Sequence, residues 1–190
     1  MSMLRPGLAG AALTLWLGGP LAVAAESGYG GPYDFGTTPS AEEIAAVDID
    51  AMPDGRGLPE GTGTYEDGRA IYMEQCVACH GEQLEGVPEA GGDKLIGGRG
   101  SLASGSPVKT VESYWPYATT LFDYVYRAMP LHSPGSLSAD QVYDVVAFIL
   151  AEANVIPKDQ KIDARNLAEV EMPNRDGFIP DPRPDVFNYD

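Results

Sequence analysis

The chain has 190 residues, enough for one modest domain with flanking segments and too few for a multidomain enzyme. Hydrophobic residues make up 44% and charged residues 21%, a balance that can bury a core and excludes wholesale disorder. With 12 basic against 28 acidic residues the formal charge is −16, which excludes nucleic acid as a partner and repels anionic lipid headgroups.

Taken in chain order, residues 1–25 read as an export signal. Arg5 supplies a positive start, Leu8 to Leu17 an apolar stretch, and Ala22-Val23-Ala24-Ala25 a small-residue cleavage site. Gly18, Gly19 and Pro20 interrupt the apolar run, which is short for a bilayer, so a periplasmic protein with no membrane span after cleavage is expected. Residues 26–63, rich in Gly, Pro, Asp and Thr, read as an extended N-terminal arm in which only Ser40 to Val47 offers a turn or two of helix. The compact domain is expected over residues 64–156. Thr64 caps a helix that carries Glu66 and Asp67 in its first turn and runs through Ile71 and Tyr72 to Gln75. Residues 81–117 show no periodicity and read as a long loop, with an aromatic cluster at Tyr114, Trp115 and Tyr117; a loop of that length suits a domain in which it wraps a prosthetic group. A helix starting at Thr119 or Thr120 stops near Met129, because Pro130 disfavours helical geometry in the residue before it. The last helix opens on a capping box of Ser138 and Gln141, and Val142, Val145, Val146, Ile149 and Leu150 form one apolar stripe that must pack on the core, most naturally on the first helix. Residues 157–190 turn charged and then Pro-rich, which predicts an extended C-terminal tail. The fold class is all-α.

The chemistry lies in Cys76-Val77-Ala78-Cys79-His80, the spacing of covalent haem attachment. Two thiols three positions apart at a helix terminus can each add to one porphyrin vinyl group, and the adjacent imidazole then serves as proximal iron ligand. Three other readings compete: a zinc site, which would have to recruit a carboxylate because His132 is the only other histidine; a thioredoxin-like redox pair, which wants a βαβ context; and a structural disulfide. One covalent haem c is the cofactor expected.

Met52, Met73, Met129 and Met172 are the candidate second axial ligands beyond the signal. Met73 lies three residues before Cys76 on the attachment side, and Met52 and Met172 lie in the arms. Met129 leaves a helix and precedes Pro130, which stiffens the backbone presenting its thioether. It is the preferred ligand, so the metal set is His80 and Met129; His132 is the runner-up, and a core-filling role is the plain alternative for Met129. For the cofactor's carboxylates, Arg99 within Gly97-Gly98-Arg99-Gly100 is the candidate cation, against simple solvation. Tyr114 and Trp115 are candidate donors to the same carboxylates, against ordinary packing. With both axial positions filled the iron has no open site, so electron exchange is expected and no catalytic residue is assigned.

From Thr64 to Asn154 the pattern resembles a class I cytochrome c: a helix with Gly68 and Tyr72, then C-x-x-C-H, a distal Met-Pro and a terminal amphipathic helix. The resemblance implies that Gly68 lets the terminal helix approach closely, and that three to five helices surround the haem. Asp48-Ile49-Asp50, Gly57-Leu58-Pro59-Glu60-Gly61, Gly97-Gly98-Arg99-Gly100, the run Tyr114 to Tyr124, Arg127-Ala128-Met129-Pro130 and Met172-Pro173-Asn174-Arg175-Asp176-Gly177-Phe178 are similar to the cytochrome subunits of sulfur-oxidising dehydrogenases, the SoxD-type and sulfite dehydrogenase cytochromes. That resemblance implies a periplasmic complex with a molybdopterin-containing subunit that oxidises sulfite or carrier-bound sulfane sulfur, and a downstream cytochrome or oxidase as acceptor. The chain departs from two-haem members in having a single C-x-x-C-H. Both arms would wrap the larger subunit. A free soluble carrier is the alternative, and a haem sensor with an open coordination site is a third reading.

Overall fold

Five α-helices, two short strands and two 3-10 turns make up the described residues of the computed structural model, which are residues 36–179. The signal expected over 1–25 and the outer ends of both arms lie outside them. The chain divides into units of residues 1–41 and 42–190; of the first, only residues 36–41 are described.

Helix α1 (Ala41–Val47) has no buried residue. Strand β1 (Thr62–Gly63) leads into α2 (Tyr65–Gln75), where the Thr64 hydroxyl accepts the Asp67 N–H and Glu66 and Asp67 sit at the positive end of the helix. Helix α3 (Val77–His80) follows directly and ends at Gly81, whose φ of +78° a side chain would resist. Helix α4 covers Ala118–Ala128. It starts one residue ahead of the threonines expected to open it. Its cap is extended Tyr117, and Thr119 lies fully buried inside the first turn with no hydrogen-bond partner for its hydroxyl. Helix α5 (Ala139–Glu152) carries the reciprocal capping box of Ser138 and Gln141.

The core is built around α5. Its apolar stripe is buried, and so are Tyr143, Ala147, Phe148 and Ala151, because α2, α4 and the two-stranded ribbon all pack on it. Gly68 is the closest approach between helices: a Cβ there would stand 1.8 Å from the Asp144 carbonyl oxygen and 2.9 Å from the Phe148 Cβ. Tyr72 fills the space beside it, its ring 4.9 Å from that of Phe148.

Two segments read as arms contribute to this core. Strand β2 (Ile162–Asp163) pairs antiparallel with β1, and a 3-10 turn over Leu167–Glu169 follows. Ile162, Leu167, Val170 and Met172 are all buried, so residues 157–179 are structural and not a loose tail. Their apolar positions have neither helical nor strand period, which is why the pattern was silent. The inner N-terminal arm is likewise docked. The Ala51 N–H donates to Asp123 on α4 at 2.8 Å, the Tyr143 hydroxyl donates to the Pro59 carbonyl at 2.9 Å, and Leu58 packs on the core.

Candidate functional site

Cys76 closes α2, and the turn of α3 then places Cys79 and His80 on the wall of one cavity of about 620 Å³. Leu121, Val125, Val145 and Ile149 supply much of its apolar lining, and Met129, Pro130, Trp115 and His132 also line it. The two cysteines are not joined as a disulfide. Burial, and next the neighbouring Cys79, push the Cys76 thiol up to about 11, the opposite of the acidified thiol of a C-x-x-C redox pair. Among the described residues no group of three or more His, Cys, Asp or Glu is placed to hold a metal ion, which leaves the zinc reading without a ligand set.

The orientation of His80 is fixed from behind. Its Nδ1 lies 2.7 Å from the Asp93 carbonyl oxygen. A carbonyl only accepts, so the proton sits on Nδ1 and Nε2 keeps the lone pair that can ligate iron. The Asp93 carbonyl is delivered by a tight loop. The Val87 and Gly86 N–H groups donate to the carbonyls of Cys79 and His80, both at 2.8 Å, and satisfy the end of α3. Gly92 then passes so close that a Cβ on it would lie 1.8 Å from the Cys79 carbonyl oxygen. The Tyr72 hydroxyl donates to the Gly81 carbonyl at 2.7 Å, tying α2 to the residue after the motif. Sequence reasoning missed Asp93 and Gly92; the Gly91-Gly92 doublet was the available signal.

Met129 caps α4 in an extended conformation, φ −120° and ψ 150°, as the following proline demands. Of the other methionines, Met52 and Met73 are partly exposed and do not line the cavity, and Met172 is 3% exposed within the core. Trp115 stands edge-on to Tyr124, ring centroids 5.7 Å apart. Arg99 and Tyr114 are absent from the lining. Arg99 pairs through Nε with Glu112 at 2.6 Å and donates from Nη2 to the Ala153 carbonyl at 2.6 Å, which joins the long loop to the end of α5. That loop is held by its own side chains: Thr110 donates to the Gly97 carbonyl at 2.7 Å and Ser113 to the Val108 carbonyl at 2.6 Å.

These residues fit a haem: two unpaired thiols in covalent spacing, an imidazole whose Nδ1 is held from behind, a thioether on the same cavity and apolar walls. Among the described residues no helix is long and apolar enough to cross a membrane.

Comparison with known proteins agrees. The family described as Cytochrome c matches residues 65–152. The thiosulfate dehydrogenase of Allochromatium vinosum is 30% identical over 111 residues, which are 55% of this chain and 38% of that protein. The thiosulfate dehydrogenase of Stutzerimonas stutzeri is 25% identical over 126 residues, 65% of this chain and 37% of that protein. The chain thus spans little more than a third of the length of these relatives. The crystal structure of the sulfane dehydrogenase SoxCD from Paracoccus pantotrophus is 40% identical, covers 80% of this chain and 74% of that chain, and superposes with a TM-score of 0.72. With one C-x-x-C-H site for covalent haem c, the chain belongs to the class I c-type cytochromes related to the SoxD-type and sulfite dehydrogenase cytochrome subunits.

Proposed function

We propose that this chain is the monohaem electron-transfer subunit of a periplasmic molybdenum sulfite or sulfur dehydrogenase, taking electrons singly from a molybdopterin-containing subunit and handing them to a downstream cytochrome or oxidase. The observation that carries this reading is the likeness to the sulfane dehydrogenase SoxCD, which at 40% identity over 80% of the chain extends well past the haem domain proper. In this reading Cys76 and Cys79 would hold the porphyrin, and His80 and Met129 would supply the donors to its iron. Bound there, haem would supply one-electron exchange. Asp93 keeps the His80 proton on Nδ1, and the apolar lining from α4 and α5 excludes water. A second reading, a relay domain for thiosulfate oxidation, draws on the two thiosulfate dehydrogenases, at lower identity and coverage.

Metal analysis of the protein purified from its native host separates these. One iron with molybdenum in the same complex is expected, with haem that resists acidified organic solvent and an oxidised spectrum showing the thioether-to-iron charge-transfer band. Iron without molybdenum would remove the molybdoenzyme assignment, and extractable haem would remove covalent attachment.

A further inference from the structure

Haem brings two carboxylates into a chain whose formal charge is already −16, so the cations nearest the cavity matter. Arg99, the candidate from sequence, is turned to Glu112 and the Ala153 carbonyl. The lysines that line the cavity are Lys94 and Lys109, and Asp93 is the sole acidic residue among the lining. Lys109 does not hang free. Its Nζ sits 5.1 Å from the centroid of the Tyr114 ring, a cation–π contact that narrows where the ammonium can go. Tyr114 is itself clamped by the C-terminal segment: Phe178 packs edge-on against its ring at 5.2 Å, and the Asn174 side chain donates to its carbonyl at 2.6 Å. Buried Met172 anchors that segment in the core.

We propose that Lys94 and Lys109 are the cationic partners of the haem carboxylates, and that the C-terminal segment positions Lys109 through Tyr114. The inference rests on the haem reading above. A positive charge beside a redox centre favours its reduced state, so each lysine raises the reduction potential, and Tyr114, Asn174 and Phe178 act on the same quantity as positioning residues. Because both lysines are exposed, added salt weakens the effect.

The test is the reduction potential of the matured holoprotein, with the haem content and covalent attachment of each variant checked by its pyridine haemochrome spectrum. Lys94→Gln and Lys109→Gln are each expected to shift the potential down, more so together, with the shift shrinking as salt is added; Lys→Arg at either site retains the wild-type value. Tyr114→Leu and Phe178→Ala reproduce part of the Lys109→Gln shift, whereas Tyr114→Phe, which keeps the ring, does not. A fully loaded double lysine variant with the wild-type potential overturns the proposal, as does Arg99→Gln lowering the potential while the lysine variants leave it alone. Lysine effects without any from Tyr114→Leu or Phe178→Ala overturn the positioning role. Failure of the wild-type chain to attach haem is a different result, and it sinks the haem reading itself.

Discussion

At the residue scale, the site depends on a backbone contact that no side chain advertises. Gly92 lies against the Cys79 carbonyl so that the Asp93 backbone carbonyl can accept a hydrogen bond from His80 Nδ1–H. A methyl group at Gly92 has backbone in front of it and cannot be relieved by a rotamer change. Gly92→Ala is therefore expected to push the loop off α3, costing about 2–3 kcal/mol of unfolding free energy in chemical denaturation and lowering the yield of haem-loaded protein. Wild-type stability and loading in that variant would show that the close approach is not needed. Met129 carries a spectroscopic prediction. With Met129 as the proposed ligand, Met129→Ala is expected to remove the thioether-to-iron band; should the variant stay six-coordinate, His132, which lines the same cavity, is the group to replace next.

At the element scale, α5 organises the core, with α2, α4 and both strands packed on it. Its capping box contributes about 1 kcal/mol, the loss expected for Ser138→Ala in chemical denaturation. Gly68→Ala should cost about 3 kcal/mol, because the added methyl meets the Asp144 carbonyl and the Phe148 Cβ and forces α2 away from α5. A smaller loss for Gly68 than for Ser138 would contradict the observed crossing. These helices were legible in the sequence because their signals are local: a capping threonine or serine, acids in the first turn, a stripe at helical spacing, a proline at the end. The motif Cys76–His80 was legible for the same reason. Asp93 was not, since a carbonyl acceptor has no side-chain signature, and the destination of Arg99 was not, since an arginine in a glycine-rich loop can turn either way. The burial of Ile162, Leu167, Val170 and Met172 escaped because isolated apolar residues in an irregular segment declare no face.

At the scale of the whole molecule, the C-terminal segment closes the fold, so truncation at residue 157 would remove core and not merely a partner-binding tail. Leu167→Ala is expected to cost about 2–5 kcal/mol, as for any fully buried leucine. A second tie is ionic. Glu152 at the end of α5 accepts from the Tyr65 hydroxyl of α2 at 2.6 Å and from Lys158 of the C-terminal segment at 2.7 Å. Burial pushes the Glu152 carboxyl up, but the hydrogen bonds from Lys158 and Tyr65 outweigh it and leave the group below its usual value of 4.5. Asp144, in the middle of α5, goes the other way. Burial raises it, the Thr64 N–H at 2.7 Å lowers it, and the nearby Asp67 and Asp140 carboxylates raise it further, for a net position above 3.8.

The two carboxyls therefore have opposite pH signatures. A folded-state pKa below the unfolded value means stability that is present at neutral pH and lost as pH falls through the folded value; a folded pKa above the unfolded value means a penalty that is present at neutral pH and relieved by acid. Glu152→Gln should lower the melting temperature at pH 7, and the deficit should close as pH drops through the carboxylate range. Asp144→Asn keeps an oxygen to accept the Thr64 N–H and removes the charge, so it should melt at or above the wild-type temperature at pH 7, with that advantage vanishing in acid. Melting curves of the three proteins at stepwise pH decide the matter: parallel shifts at every pH, or an advantage for Asp144→Asn that grows in acid, would mean that these carboxyls do not carry the electrostatic balance around α5.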